Sequence, residues 1–180
     1  MDFASEAIVL QARKHGETSA IMETFTRDQG RHNALVRGGV GRRMRPVLQP
    51  GNIVDVEWRG RLEEHLGYYT VELVDALAGT FMENRLSLSA LNSLAALLRE
   101  MLPEKQPLPQ LYDVTKIVLE RLGDPEVWPA LYVRWESMLL EVLGYGLDLS
   151  RCAATEATTN LTHVSPRSGR AVCEEAAQPY

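Results

Sequence analysis

Nine consecutive residues carry the densest chemistry in the chain. Arg37-Gly38-Gly39-Val40-Gly41-Arg42-Arg43-Met44-Arg45 holds four arginines, three glycines and no acid. A guanidinium is a planar fork that donates two parallel hydrogen bonds to a phosphate. Glycine lets backbone amides approach an anionic chain closely. The run therefore predicts a flexible, cationic, phosphate-holding loop. Arg31 precedes it and Arg59 follows at the end of the next strand. The expected nucleic-acid contacts are thus Arg31, Arg37, Arg42, Arg43, Arg45 and Arg59, with Arg13, Lys14 and Arg61 as the reserve. A solvated connection without a ligand is the plainer alternative, but a cationic cluster in a chain of net charge −5 weighs for binding. It is not a nucleoside-triphosphate loop, because the Gly-x4-Gly-Lys-Ser/Thr spacing and its lysine are missing.

Single-stranded bases stack on exposed rings, so the aromatics come next. Trp58 shares a strand face with Val54 and Val56 and reads as core. Tyr68 falls on the face opposite Tyr69 and is the better stacking platform. Trp128 and Trp135 sit on a helical stripe and read as core. Catalytic sets are missing. His15, His32, His65 and His163 are scattered without metal-ligand spacing, and no serine occupies a Gly-x-Ser-x-Gly elbow. The acidic pairs Glu63-Glu64 and Glu174-Glu175 read as solvated faces. The chain reads as a binding protein and not an enzyme. Cys152 and Cys173 are too few for a disulfide framework and read as free thiols.

These residues must be positioned by two kinds of element. Residues 7–12, 19–27, 31–37, 52–59 and 68–74 are short apolar or alternating runs separated by Gly, Pro and Asp turns, and they predict five strands. Five strands at this spacing suggest the Greek-key oligonucleotide-binding barrel. From Phe81 the period becomes helical: Leu88, Leu91, Ala95, Leu98 and Leu102 make one stripe that ends at Pro103. Leu111, Val114, Val118 and Leu122 make a second. A third starts at Asp124-Pro125 or at Trp128-Pro129 and carries Leu131, Trp135, Met138 and Val142. Beyond Leu149 no period is visible. The expected fold is α+β, a β-barrel over residues 1–79 followed by a helical domain over 80–180. Charge divides the same way: residues 1–61 carry a net +3 and residues 62–180 a net −8. No apolar run reaches 18 residues and the N-terminus lacks a secretory pattern, so the expected location is cytoplasmic.

With these residues in view, the chain resembles the RecO family of bacterial recombination mediators. The matching pieces are Ala7-Ile8-Val9-Leu10, Glu17-Thr18-Ser19, Phe25-Thr26 before Gly30-Arg31, and Arg37-Gly38 opening the basic loop. Leu48-Gln49-Pro50, Glu136-x2-Leu139-Leu140-x2-Leu143-Gly144-Tyr145, Cys152 and Ser165-Pro166-Arg167-Ser168-Gly169-Arg170 follow in order. No piece is specific alone; their order and spacing over some 170 residues are.

The resemblance implies an oligonucleotide-binding barrel and a helical domain that bind single- and double-stranded DNA and anneal complementary strands. The implied partners are RecR and the acidic tail of single-strand DNA-binding protein, with RecA loading as the indirect outcome in the RecF pathway. For the acidic tail the cations available in the helical part are Lys116, Arg121, Arg134 and Arg151. Many family members hold zinc through two Cys-x2-Cys pairs. Here the matching positions read Cys152-x2-Thr155 and Cys173-x2-Ala176, so residues 150–177 form a degenerate zinc-finger-like segment. Two thiolates, even with His163, fall short of a tetrahedral structural site, and no metal and no cofactor are expected. Family members usually continue for several dozen residues past the position of Tyr180. A second reading comes from the net −8 of residues 62–180: an adaptor whose helical domain binds proteins while the barrel is mainly structural.

Overall fold

The computed structural model describes residues 2–62, 64–82 and 84–178; Glu63, one half of an acidic pair noted above, and the chain end at Pro179-Tyr180 lie outside them. The fold is α+β. Its five large strands are β1 (Asp2–His15), β2 (Ser19–Thr26), β3 (Gly30–Val36), β4 (Ile53–Arg59) and β5 (Tyr68–Asp75). They are hydrogen-bonded in the order β1-β2-β3-β5-β4, and β4 returns to β1 to close a barrel. All neighbours run antiparallel except β3 and β5, which meet in parallel at Leu35 and Tyr68.

Closure depends on the length of β1. Its first half, Asp2 to Ile8, pairs with β4, and its second, from Ala7 to His15, pairs with β2. A bulge between Val9 and Gln11 bends the strand as it passes from one partner to the other. Alternation along the strands fills the interior with Val9, Met22, Val36, Val54, Val56 and Trp58, all buried. The opposite residues of β4, Asp55 and Glu57, are exposed. This is the period-two rule of a half-buried strand.

One polar chain crosses that apolar interior. The Thr24 hydroxyl donates to the His32 carbonyl at 3.0 Å and lies 3.2 Å from the Tyr69 hydroxyl, which is 2.9 Å from His32 Nδ1. The His32 ring sits edge-on to Phe3 and Trp58, which stack on each other at 5.6 Å. Burial, and then the charge of Lys105, lowers the His32 pKa from its ordinary 6.5 to about 4, so the ring is neutral.

The helices are α1 (Leu77–Thr80), α2 (Arg85–Met101), α3 (Pro109–Arg121) and α4 (Trp128–Val142). Asn84 caps α2 by accepting from the Leu86 and Ser87 amides, and Pro109 stands in the first turn of α3. The third helical pattern thus begins at Trp128. The buried face of α2 is Ala90, Leu91, Leu94, Ala95 and Leu98; Leu88, expected on that stripe, is more than one-third exposed. Of the two tryptophans read as core on α4, Trp135 is fully buried and Trp128 half-buried. A short hairpin, β6 (Leu161–Val164) and β7 (Ala171–Cys173), and the single turn α5 (Glu174–Ala177) complete the chain.

Two compact units result, Met1–Tyr132 and Val133–Tyr180. In the first, α2 and α3 are clamped to the outside of the barrel by ion pairs. Arg27 grips Asp113 with two hydrogen bonds of 2.9 and 3.0 Å, and Lys116 reaches both oxygens of Glu6 at 2.8 Å. The Tyr112 hydroxyl donates to Glu6 as well. Among the described residues, no helix is long and apolar enough to cross a membrane.

Candidate nucleic-acid interface

The Gly-rich segment joins β3 to β4, and its flexibility is less than its composition suggests. It is a succession of turns: the Gly41 amide donates to the Gly38 carbonyl, Met44 and Arg45 both donate to Gly41, and Leu48 donates to Met44. Leu48 is buried, and Met44 and Val47 pack against the barrel core. Two glycines are required by geometry. Gly38 has φ +68°, and a Cβ on Gly39 would come within 2.7 Å of the Ala20 Cβ. The Val40 amide then bonds the Thr18 carbonyl between β1 and β2. At the far end the buried Asn52 side chain donates to the Pro46 and Val47 carbonyls and accepts from the Ala78 amide.

A fixed backbone puts the arginines on the outside. Arg37, Arg42, Arg43 and Arg45 are all exposed, and among the described residues none of them has a carboxylate within ion-pair distance. The same holds for Arg13 and Lys14. Elsewhere in this unit three cations are consumed by the protein: Arg27 by Asp113, Arg99 by Glu23 and Lys116 by Glu6. Arg31 belongs to this second group. It is largely buried, pairs with Glu23 and Glu104, and donates to the Leu102 carbonyl at 2.9 Å. Sequence proximity grouped it with the loop; the structure makes it a clamp between β3 and the end of α2. Arg59 lies between the groups, 73% exposed with only a 3.5 Å contact to Glu57.

Tyr68 opens β5 beside the loop and is 46% exposed, whereas its neighbour Tyr69 is buried. The Arg37 guanidinium carbon stands 4.3 Å from the centre of the Tyr68 ring, a cation–π contact. Two adjoining grooves share Tyr68 and Arg59: one of about 490 Å³ also touches Arg37 and Met44, the other of about 500 Å³ touches Arg61 and His65. On the other side of the loop a groove of about 570 Å³ is walled by Arg13, Lys14 and Arg45. The sequence marked Tyr68 as a platform by strand parity alone. It could not show that Arg37 lies over the ring, because that contact joins the end of β3 to the start of β5. Arg13 and Lys14 were only a reserve, since nothing local ties them to a loop thirty residues away.

Of the cations available for an acidic peptide, Lys116 is held by Glu6 and Arg151 by Glu156. No ion pair involves Arg121 or Arg134 among the described residues.

In the second compact unit the segment beyond Leu149 folds around the two cysteines, both buried and unbridged. The Cys173 amide donates to Cys152 Sγ at 3.3 Å, and the Thr155 hydroxyl lies 3.3 Å from Cys173 Sγ. Hydrogen bonds from Thr155 first, then from the Cys173 amide, hold the Cys152 thiol below its ordinary range. These residues do not fit the zinc site that the resemblance implies. Thr155 and Ala176 stand where two thiolates would be needed, and among the described residues no three His, Cys, Asp or Glu side chains are placed to share an ion.

Comparison with known proteins gives two family matches. The model described as "Recombination protein O N terminal" covers residues 1–77, and "Recombination protein O C terminal" covers residues 82–180. The chain is 50% identical over 177 residues to the DNA repair protein RecO of a Ruegeria species, covering 98% of this chain and 73% of that protein. Its identity to the DNA repair protein RecO of Methylobacterium nodulans is 51% over 180 residues, 100% of this chain and 73% of that one. For that of Sinorhizobium medicae the identity is 48% over 180 residues, 100% and 72%.

Proposed function

The chain belongs to the RecO family of DNA-repair and recombination proteins, and from that premise we propose that it works by binding DNA and annealing it, without catalysing a reaction. The barrel is an oligonucleotide-binding fold, a reading supported by its strand order and closure. It is the DNA-binding part, over residues 1–79, and residues 80–180 form the helical part, a division supported by the family matches meeting between 77 and 82. The ligands are single- and double-stranded DNA. RecR and the tail of single-strand DNA-binding protein are the protein partners, in the cytoplasm, and the outcome is RecA loading onto DNA coated by single-strand DNA-binding protein.

One observation carries this reading. Arg37, Arg42, Arg43 and Arg45 are exposed on a fixed loop and unpaired with carboxylates among the described residues, while Arg27, Arg31, Arg99 and Lys116 nearby are spent on ion pairs. Unneutralised cations held close together repel one another, an arrangement that a polyanion relieves. Annealing needs no active site. It needs a surface that screens two phosphate backbones from each other, and this loop supplies one. Replacing all four arginines by alanine should weaken binding to every DNA sequence alike, because phosphate contacts carry no sequence information. Fluorescence anisotropy with several labelled oligonucleotides at low salt, beside a strand-annealing assay, measures both losses. Parental binding and annealing by the four-fold variant would refute the proposal and favour the adaptor reading.

A further inference from the structure

Resting on that DNA-binding reading, we propose that the loop between Arg37 and Gly51 separates two grooves with different ligands. The Tyr68 groove takes single-stranded DNA with a base stacked on the ring. The Arg13–Lys14–Arg45 groove takes sugar-phosphate backbone, paired or unpaired, and so is the place for a second strand or a duplex.

The two grooves share no residue. The loop keeps them apart because it is tied down along its middle, through the Gly39–Ala20 approach and the Val40–Thr18 hydrogen bond. Their chemistry differs in one decisive respect. The Tyr68 groove combines Arg37 and Arg59 with an exposed ring. Aromatic faces accept any base, but only one that is unstacked from its neighbours, so this groove selects single strands. Arg37 is placed to yield: the base takes the ring, and the guanidinium 4.3 Å above it turns to the adjacent phosphate. Among the described residues, no aromatic side chain lines the opposite groove. Arg13, Lys14 and Arg45 line it together with Ala12, Ala20, Leu48, Pro50 and the amides of Gln11 and Gln49, which offers cations to phosphates and no ring for a base to stack on. Backbone recognition of this kind needs no unstacked base, so the groove accepts a duplex, whereas a short single strand is held first by the Tyr68 groove.

A third face limits where either strand can run. Glu6, Asp55 and Glu72 lie opposite one another across β1, β4 and β5, with Glu57 beside them. Glu6 is neutralised by Lys116, but Asp55, Glu57 and Glu72 are exposed, and these three repel DNA from the barrel wall and leave the loop as its approach.

The test is a double dissociation on the full chain, with a 12-nucleotide oligothymidine and a 12-base-pair duplex as probes at low salt. Tyr68→Ala should weaken oligothymidine about tenfold and the duplex less than twofold, and Tyr68→Phe should restore the parental value. Arg13→Ala/Lys14→Ala should weaken the duplex about tenfold or more and oligothymidine less than threefold. Anything short of that crossing, such as both variants weakening both probes in the same ratio, overturns the two-groove arrangement. A parent that binds neither probe overturns the DNA-binding reading itself. The two failures are therefore distinguishable.

Discussion

Inside the barrel, His32 gives up the charge it would carry in mildly acidic water. Phe3, Trp58 and Tyr69 surround its ring, and burial holds its pKa near 4 instead of 6.5. In the unfolded chain the ring takes a proton below about pH 6.5, so the stability gained from keeping it neutral is complete above that value. It is lost progressively as the pH falls towards 4. The full shift corresponds to roughly 3 kcal/mol. Urea midpoints of the parent should therefore drop between pH 6.5 and 4.5, and those of His32→Gln should drop much less. Two exposed carboxylates titrate elsewhere: Arg27 holds Asp113, and Ser150 holds Asp148, below the ordinary range, so their small contribution is lost at lower pH. Equal slopes for parent and variant would show that His32 is not the source. Nothing in the sequence marked this histidine, because Thr24, His32 and Tyr69 come together from three strands.

At the scale of elements, what was legible is what local periodicity controls. Val54, Val56 and Trp58 alternate with Asp55 and Glu57 and fall on the inner and outer faces as strand parity requires. The five strands and three long helices follow the same logic. A barrel was expected from the strand spacing, but the means of closing it was not legible, since closure turns on β1 being 14 residues long and bulged, while its outer half reads as polar: Gln11, Arg13, Lys14. The hairpin of β6 and β7 was invisible because strands of four and three residues are too short to show a period. The character of the loop was misjudged for a related reason. Composition suggested flexibility, but Leu48 and Asn52 anchor it through contacts with residues distant in sequence. Removing the anchor tests this. Asn52→Ala leaves two carbonyls and the Ala78 amide without a protein partner, at a cost of about 2–4 kcal/mol in unfolding free energy. Amide exchange at Gly41, Met44 and Leu48 should accelerate in the variant. A change under about 1 kcal/mol with parental exchange rates would mean that the loop is held by other contacts.

For the molecule as a whole, charge is arranged so that a net −5 chain presents a cationic end. The acids of β4 and β5 occupy the barrel wall, Arg99 of α2 and Lys116 of α3 are spent on clamps, and the cations of the loop stay exposed. The uneven charge along the chain was readable; which arginines remain available was not, and Arg31 is the case in point. The salt dependence of single-strand binding measures that availability most directly. Four phosphates neutralised by Arg37, Arg42, Arg43 and Arg45 give a log–log slope near −3, or a loss of about fifty-fold in affinity between roughly 50 and 200 mM salt. Each arginine replaced by alanine should flatten the slope by about 0.7, whereas Arg31→Ala should lower stability and leave the slope unchanged. A parental slope in the four-fold alanine variant, or a slope that responds to Arg31 and not to the loop, would contradict the assignment of this loop as the DNA surface.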